Sequence, residues 1–320
     1  MVFLFLNIFY TVDFMKTFLN HFGIPANSAG IDFLDINLEK DTPLFIDSYY
    51  LTWSKNIYCQ KALSTQRIFM EELMLSLKNG NDQKASELCN HFPEPKCTGI
   101  GLSAASFNGR GSKKIKVEKI LHSLKKSKAA QTGLLEDLEE LILVTEGIGA
   151  DTISDITTNI CMKHFAQYTL EKCKELNIPT ELTKKNFFYF CEQDKVWKKT
   201  KFELPHVPLG KEQVHSAIVL LPNEILDSII SYDTQFFFTN IATPLYVKEV
   251  LKKQPTASFI YSVKSTKERK VNVTDMRNLH PEYRGGKKNM DKLIASNPKL
   301  LKDYKEVARS RYIKRRGKKS

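Results

Sequence analysis

The chain has 320 residues, 42% of them hydrophobic and 11% aromatic, with a formal net charge of +12. That apolar content excludes a mostly disordered protein and suffices for one large domain or two ordinary ones. The charge is not spread evenly. Lys264 to Ser320 holds 19 Lys and Arg against 6 Asp and Glu, a net of +13, while the other 263 residues hold 29 basic and 30 acidic side chains. A field concentrated in this way is aimed at an anionic partner, nucleic-acid phosphates above all.

At the N-terminus the run MVFLFLNIFYTV is apolar, but it lacks the basic flank of a signal peptide. Asp13 and Lys16 end it far short of the roughly 20 apolar residues of a membrane span. Residues 1–14 therefore read as a spurious upstream extension or as an apolar segment packed on the domain. No other stretch approaches a spanning length, so no membrane partner is expected. The six cysteines are scattered without a C-x-x-C pair, the pattern of reduced thiols in a cytoplasmic protein.

From 15 to about 178 the signals are mainly helical. Leu44, Phe45 and Ile46 read as a short buried strand. Ile68, Phe69, Leu73 and Leu77 recur at helical spacing, and a second short helix is predicted over Gln83–His91. A Gly/Ser-rich basic loop over 98–114 opens onto a helix whose Val117, Ile120, Leu121 and Leu124 form one stripe opposite a face of lysines. Leu134, Leu138, Leu141 and Ile142 predict a further, acidic helix, antiparallel to the first. The string TEGIGADTISDITTN then leads into a long helix, with Ser154 as its expected N-cap.

The pattern changes over 179–296, which reads as strand-rich. FFYF and VWKKT flank a polar turn as a hairpin, SAIVLLP (216–222) reads as a buried strand followed by a helix, and FIYSV with VNV form a second strand pair around STKERK. Residues 297–320 read as a basic amphipathic helix and tail, started by Asn297-Pro298, with Leu300, Leu301, Tyr304, Val307 and Ala308 as its apolar stripe. The expected fold class is α+β: a largely helical N-terminal half, a strand-rich C-terminal half and a basic C-terminal helix.

Three constellations carry possible chemistry. Arg309, Arg311, Lys314, Arg315, Arg316, Lys318 and Lys319 cluster on and beyond the last helix, where cations neutralise phosphates with little sequence reading. The competing explanation is a solvated tail. Arg110, Lys113 and Lys114 sit where a loop meets a helix N-terminus, a place that favours an anion, although the Walker A order is absent. Glu146, Asp151 and Asp155 surround a Gly147–Gly149 bend, and carboxylates so spaced suit Mg²⁺. Helix capping by Ser154 and Asp155 is the alternative there. Acidic-x-Lys tripeptides of the nuclease kind occur several times, as chance provides in so charged a chain, and no histidine or cysteine spacing fits zinc.

The sequence thus predicts a nucleic-acid-binding protein, with a Mg²⁺-dependent nuclease as its catalytic extension. The alternative is a non-enzymatic component of a protein assembly, whose acidic 136–155 region and basic tail are complementary docking surfaces.

Overall fold

The computed structural model describes residues 16–92, 95–101, 113–210 and 212–317. The 1–14 segment and most of the 98–114 loop lie outside them. Helix α1 (Phe18–His21) and strand β1 (Phe45–Ile46) precede α2 (Ile57–Lys78), α3 (Asp82–Cys89), α4 (Lys113–Lys126), α5 (Lys128–Gln131), α6 (Leu141–Val144) and α7 (Ala150–Glu175). Seven short strands follow: β2 (Glu181–Leu182), β3 (Phe187–Cys191), β4 (Val196–Thr200), β5 (Glu203–Leu204), β6 (His206–Leu209), β7 (Val214–Ala217) and β8 (Leu226–Asp227). The chain then returns to helix in α8 (Thr234–Phe237) and α9 (Thr243–Lys253). The hairpin β9 (Ile260–Ser262) and β10 (Arg269–Val271) leads to α10 (Val273–Leu279), α11 (Lys287–Ser296) and α12 (Lys299–Arg316).

Helices run throughout, and the strands among the described residues form two-stranded antiparallel pairs: β1 with β8, β2 with β5, β3 with β4, β6 with β7, and β9 with β10. The fold is α+β. No helix among the described residues is long and apolar enough to cross a membrane.

Helices α2 and α7 form the central pair. Asn56 starts α2 by accepting hydrogen bonds from the amides of Tyr58 (2.9 Å) and Cys59 (3.4 Å). Its buried face (Cys59, Ala62, Gln66, Phe69, Met70, Leu73) advances in steps of three and four residues, the spacing of one helical stripe. Helix α7 is different, because elements cover it on most sides, and its buried residues include many that are polar. Those polar groups have work to do in the interior. Ser154 Oγ accepts from the Ile46 amide of β1 (2.9 Å), and Thr169 Oγ1 accepts from Leu220 N (2.9 Å). Each satisfies a backbone donor that no ladder reaches.

Two predicted elements change character. The acidic helix expected around 134–142 is a single 3-10 turn (Leu138–Glu140) running into the one-turn α6, because Glu139 and Glu140 are buried rather than solvated. Of the 216–222 run, 218–222 are buried outside any strand, and only half-buried Ser216 and Ala217 join one, β7. The run's amides go to separate segments: Ile218 N to Pro205 O (3.0 Å), Val219 N to Cys97 O (2.8 Å) and Leu220 N to Thr169. Only a 3-10 turn (Asn223–Ile225) follows it.

The C-terminal helices close over this core. Met290 and Ile294 of α11 and Leu300, Leu301, Tyr304 and Ala308 of α12 join the main buried cluster. A smaller cluster (Phe18, Phe33, Ile36, Tyr168, Val207, Ile218, Leu220) fills the space under α1 and the β6–β7 pair. All six cysteines are buried and free.

Candidate nucleic-acid interface

The carboxylates come first. Helix α7 begins at Ala150 with Gly149 as its N-cap, so Ser154 lies inside the helix and caps nothing. Asp151 falls in the first turn, where an acidic side chain suits the helix dipole, and Asp155 lies one turn further on. Glu146 is exposed in the preceding turn, where its amide donates to Ser123 Oγ (2.8 Å). Into that same turn reaches Lys287, the first residue of α11. Its Nζ donates to the carbonyls of Thr145 (2.8 Å) and Ile148. Burial holds the Lys287 ammonium below its usual pKa, partly offset by Glu146. The turn thus already seats a cation, supplied by the chain itself. Among the described residues no three His, Cys, Asp or Glu side chains form a group suited to a metal ion.

Next come the tail arginines. The buried stripe of α12 does not stop at Ala308. Steps of three and four residues carry it on through Arg311, Tyr312 and Arg315, and these side chains face the body. Arg311 lies over the Phe236 ring (4.1 Å) and donates to Ser231 O (3.0 Å) and Tyr304 Oη (3.4 Å). Arg315 donates to Ile229 O and to Ser231 Oγ (3.1 Å) and lies 3.7 Å from Asp227. Arg316 donates to Glu224 O and covers the Tyr50 ring at 4.8 Å. Arg309 lies over Trp53 at 4.8 Å, and Trp53 in turn stacks on Tyr312. A guanidinium can satisfy a carbonyl and cover an aromatic face at once, which a lysine cannot do as well. Only Lys314 of the described tail cations is exposed without such a seat. Arg110, Lys318 and Lys319 lie outside the described residues, as do the side chains of Lys113 and Lys114.

Beneath α12 lie the buried acids Asp47, Glu139 and Glu140, with half-buried Asp137 and exposed Glu136 at their edge. Lys305 bridges Glu136 (2.9 Å), Asp137 (2.8 Å) and Glu140 (3.3 Å); burial lowers its pKa, but the carboxylates, Glu140 first, outweigh that and raise it. Burial pushes Glu140 up to about 7 against the pull of Lys305. Glu139, which accepts from Ser48 Oγ (2.8 Å), is pushed up by burial and by Asp137 beside it. Asp47 is raised to about 6 by burial, moderated by its contacts with Ser231. A cleft of about 450 Å³ opens beside this set, between Arg67, Glu71 and Lys78 of α2 and Asp137 with Lys305.

Other cations of this region face solvent. Residues 234–317 carry 20 Lys and Arg against 7 Asp and Glu. Lys248, Lys252, Lys264, Lys267, Lys288, Lys292, Lys302 and Lys314 are all exposed there, and none pairs with a described carboxylate. The sequence signal for the hairpin subset is the run KSTKERK between two strand patterns, which concentrates charge in a turn. Emphasis on the terminal cluster passes over it.

No curated protein and no solved structure matches the chain. A family model described as a domain of unknown function (DUF8370) matches residues 23–233, which is most of the chain and ends where the cationic region begins, and the protein belongs to that family.

Proposed function

We propose that this protein binds nucleic acid, and that the exposed lysines of residues 234–317 make the phosphate contacts. One observation carries this reading: the arginines of α12 are consumed by the fold, yet the region keeps a solvent-facing set of lysines with no acidic partners among the described residues. Charges that served only to hold α12 in place would leave no such surplus. Phosphate contact of this kind is strong at low salt and indifferent to sequence. The proposal stops at binding.

Fluorescence anisotropy with labelled oligonucleotides tests it. With about six phosphate contacts, log affinity should fall against log salt with a slope of about −5. Charge reversal of Lys288 and Lys292 should weaken binding to all sequences alike. Absence of binding at about 50 mM salt removes the proposal.

A second reading is supported by the seat of Lys305 among Glu136, Asp137 and Glu140. There the acidic segment of the family region and the basic C-terminal helix act as complementary surfaces within one molecule, as a non-enzymatic assembly component would use them. Under this reading the free protein does not bind oligonucleotides.

A further inference from the structure

We infer that the β9–β10 hairpin is a ribbon that enters the major groove of duplex DNA, an inference that rests on the nucleic-acid reading above and names its target. The hairpin is built for projection. Its base is anchored: Ile260 and Val271 face each other in the ladder and pack on the core, next to buried Phe259. Asn272 N donates to Phe259 O (2.8 Å) just below the strands, and α9 packs on β10. Beyond that base every residue from Lys264 to Lys270 is exposed.

The exposed part carries Lys264, Lys267 and Lys270, with Arg269 tied back by donating to Pro255 O, against the single acid Glu268, which lies 3.5 Å from Lys270. Tyr261 stands directly across the ladder from Lys270 with 53% of its surface open. A phenol and an ammonium side by side on one face offer a donor, an acceptor and a cation to a base edge or a phosphate. Lys248 and Lys252, one turn apart on α9, are exposed on the same lobe.

Dimensions agree with one groove. Two paired strands are about 4.8 Å apart, and a tip of three residues per arm reaches about 10 Å. The major groove of B-DNA is about 12 Å wide and 8.5 Å deep and admits a two-stranded ribbon. The corresponding groove of duplex RNA is too narrow for side chains to read. A single strand has no groove for a ribbon to enter.

Lys267 allows a clean variant. It adopts φ of 56°, a conformation glycine takes more readily, so Lys267→Gly removes the charge without straining the turn. The full-length protein is compared with the triple variant Lys264→Ala, Lys267→Gly, Lys270→Ala on a DNA duplex of about two turns, the matching single strand and duplex RNA. The expected result is preference for duplex DNA and a loss of about tenfold or more in the variant, with a salt slope shallower by about 3. Guanine N7, which lies in the major groove, should be shielded from methylation by the parent protein and not by the variant. Unchanged circular dichroism and melting temperature establish that the variant is folded.

The outcomes separate the two levels. If the protein binds no nucleic acid, the reading under "Proposed function" fails and takes this one with it. If it binds DNA but the variant keeps affinity and slope, only the ribbon is overturned. Equal or tighter binding to duplex RNA or the single strand, tighter binding to anionic lipid vesicles, or unprotected N7 likewise overturns groove entry.

Discussion

Glu139 shows how far the meaning of a residue depends on its surroundings. In the string LLEDLEELIL it reads as a solvated helix-face acid, yet it is 3% exposed, bonded to Ser48 and neighboured by Asp137 and by Glu140, which pairs with Lys305. Burial and the neighbouring carboxylates raise its pKa in the folded protein. The folded state therefore holds the proton more tightly than the unfolded chain does. This contribution to stability is complete below the unfolded pKa of about 4.5 and is lost as pH rises through the raised folded value. Glu139→Gln, which keeps the Ser48 hydrogen bond, should therefore melt above the parent at pH 8 and no higher than it at pH 4.5. A parent protein more stable than the variant at pH 8 would mean the carboxylate is welcome in its charged form. Ser154 teaches the same lesson from the other side. Its type fits a cap, but its hydroxyl is spent on the Ile46 amide across the core, a partner 108 residues away that no local pattern announces.

Elements were legible where their hydrogen bonds are local. The β3–β4 hairpin, with Phe190 paired to Trp197, follows from alternation and a polar turn, and α2 follows from its apolar stripe. The 216–222 run was not, because three of its amides are received by three separate segments. Helix α12 lies between these cases. Its start and apolar stripe were readable, but the use of its arginines was not, because the carbonyls that receive them belong to the distant segment 224–231. The continuation of the buried stripe through Arg311 and Arg315 was the available signal. That arrangement makes two adjacent cations unequal. Arg315→Ala breaks charge-assisted bonds to Ile229 O and Ser231 and leaves Asp227 with less compensation, so it should cost about 2 kcal/mol. Arg315→Lys should restore little, since one ammonium cannot span the fork. Lys314→Ala should change stability by less than about 0.5 kcal/mol. Urea titration of the three variants measures this, and equal losses at 314 and 315 would show that α12 is not latched through its arginines.

At the scale of the whole molecule, composition revealed the polarity and could not reveal its division of labour. The family region, residues 23–233, holds 25 Lys and Arg against 28 Asp and Glu, and the following 234–317 is strongly cationic. Some of that cation excess faces inward and joins the two regions, and some faces outward. Lys305 is the inward charge that matters most, because it touches three carboxylates of the family region and one of them, Glu140, has a side chain only 1% exposed. Replacing Lys305 by Met leaves Glu140 without its cation and should cost about 3 kcal/mol. Glu140→Gln alone removes a buried acid whose pKa is already raised, and should cost less. In the double variant the neutral pair should recover part of the loss, with a coupling of about 1–3 kcal/mol in a double-mutant cycle followed by chemical denaturation. Strict additivity would mean that Lys305 and Glu140 do not stabilise one another, and Lys305 would then rank with the outward-facing lysines rather than with charges such as Arg315 that hold the molecule together.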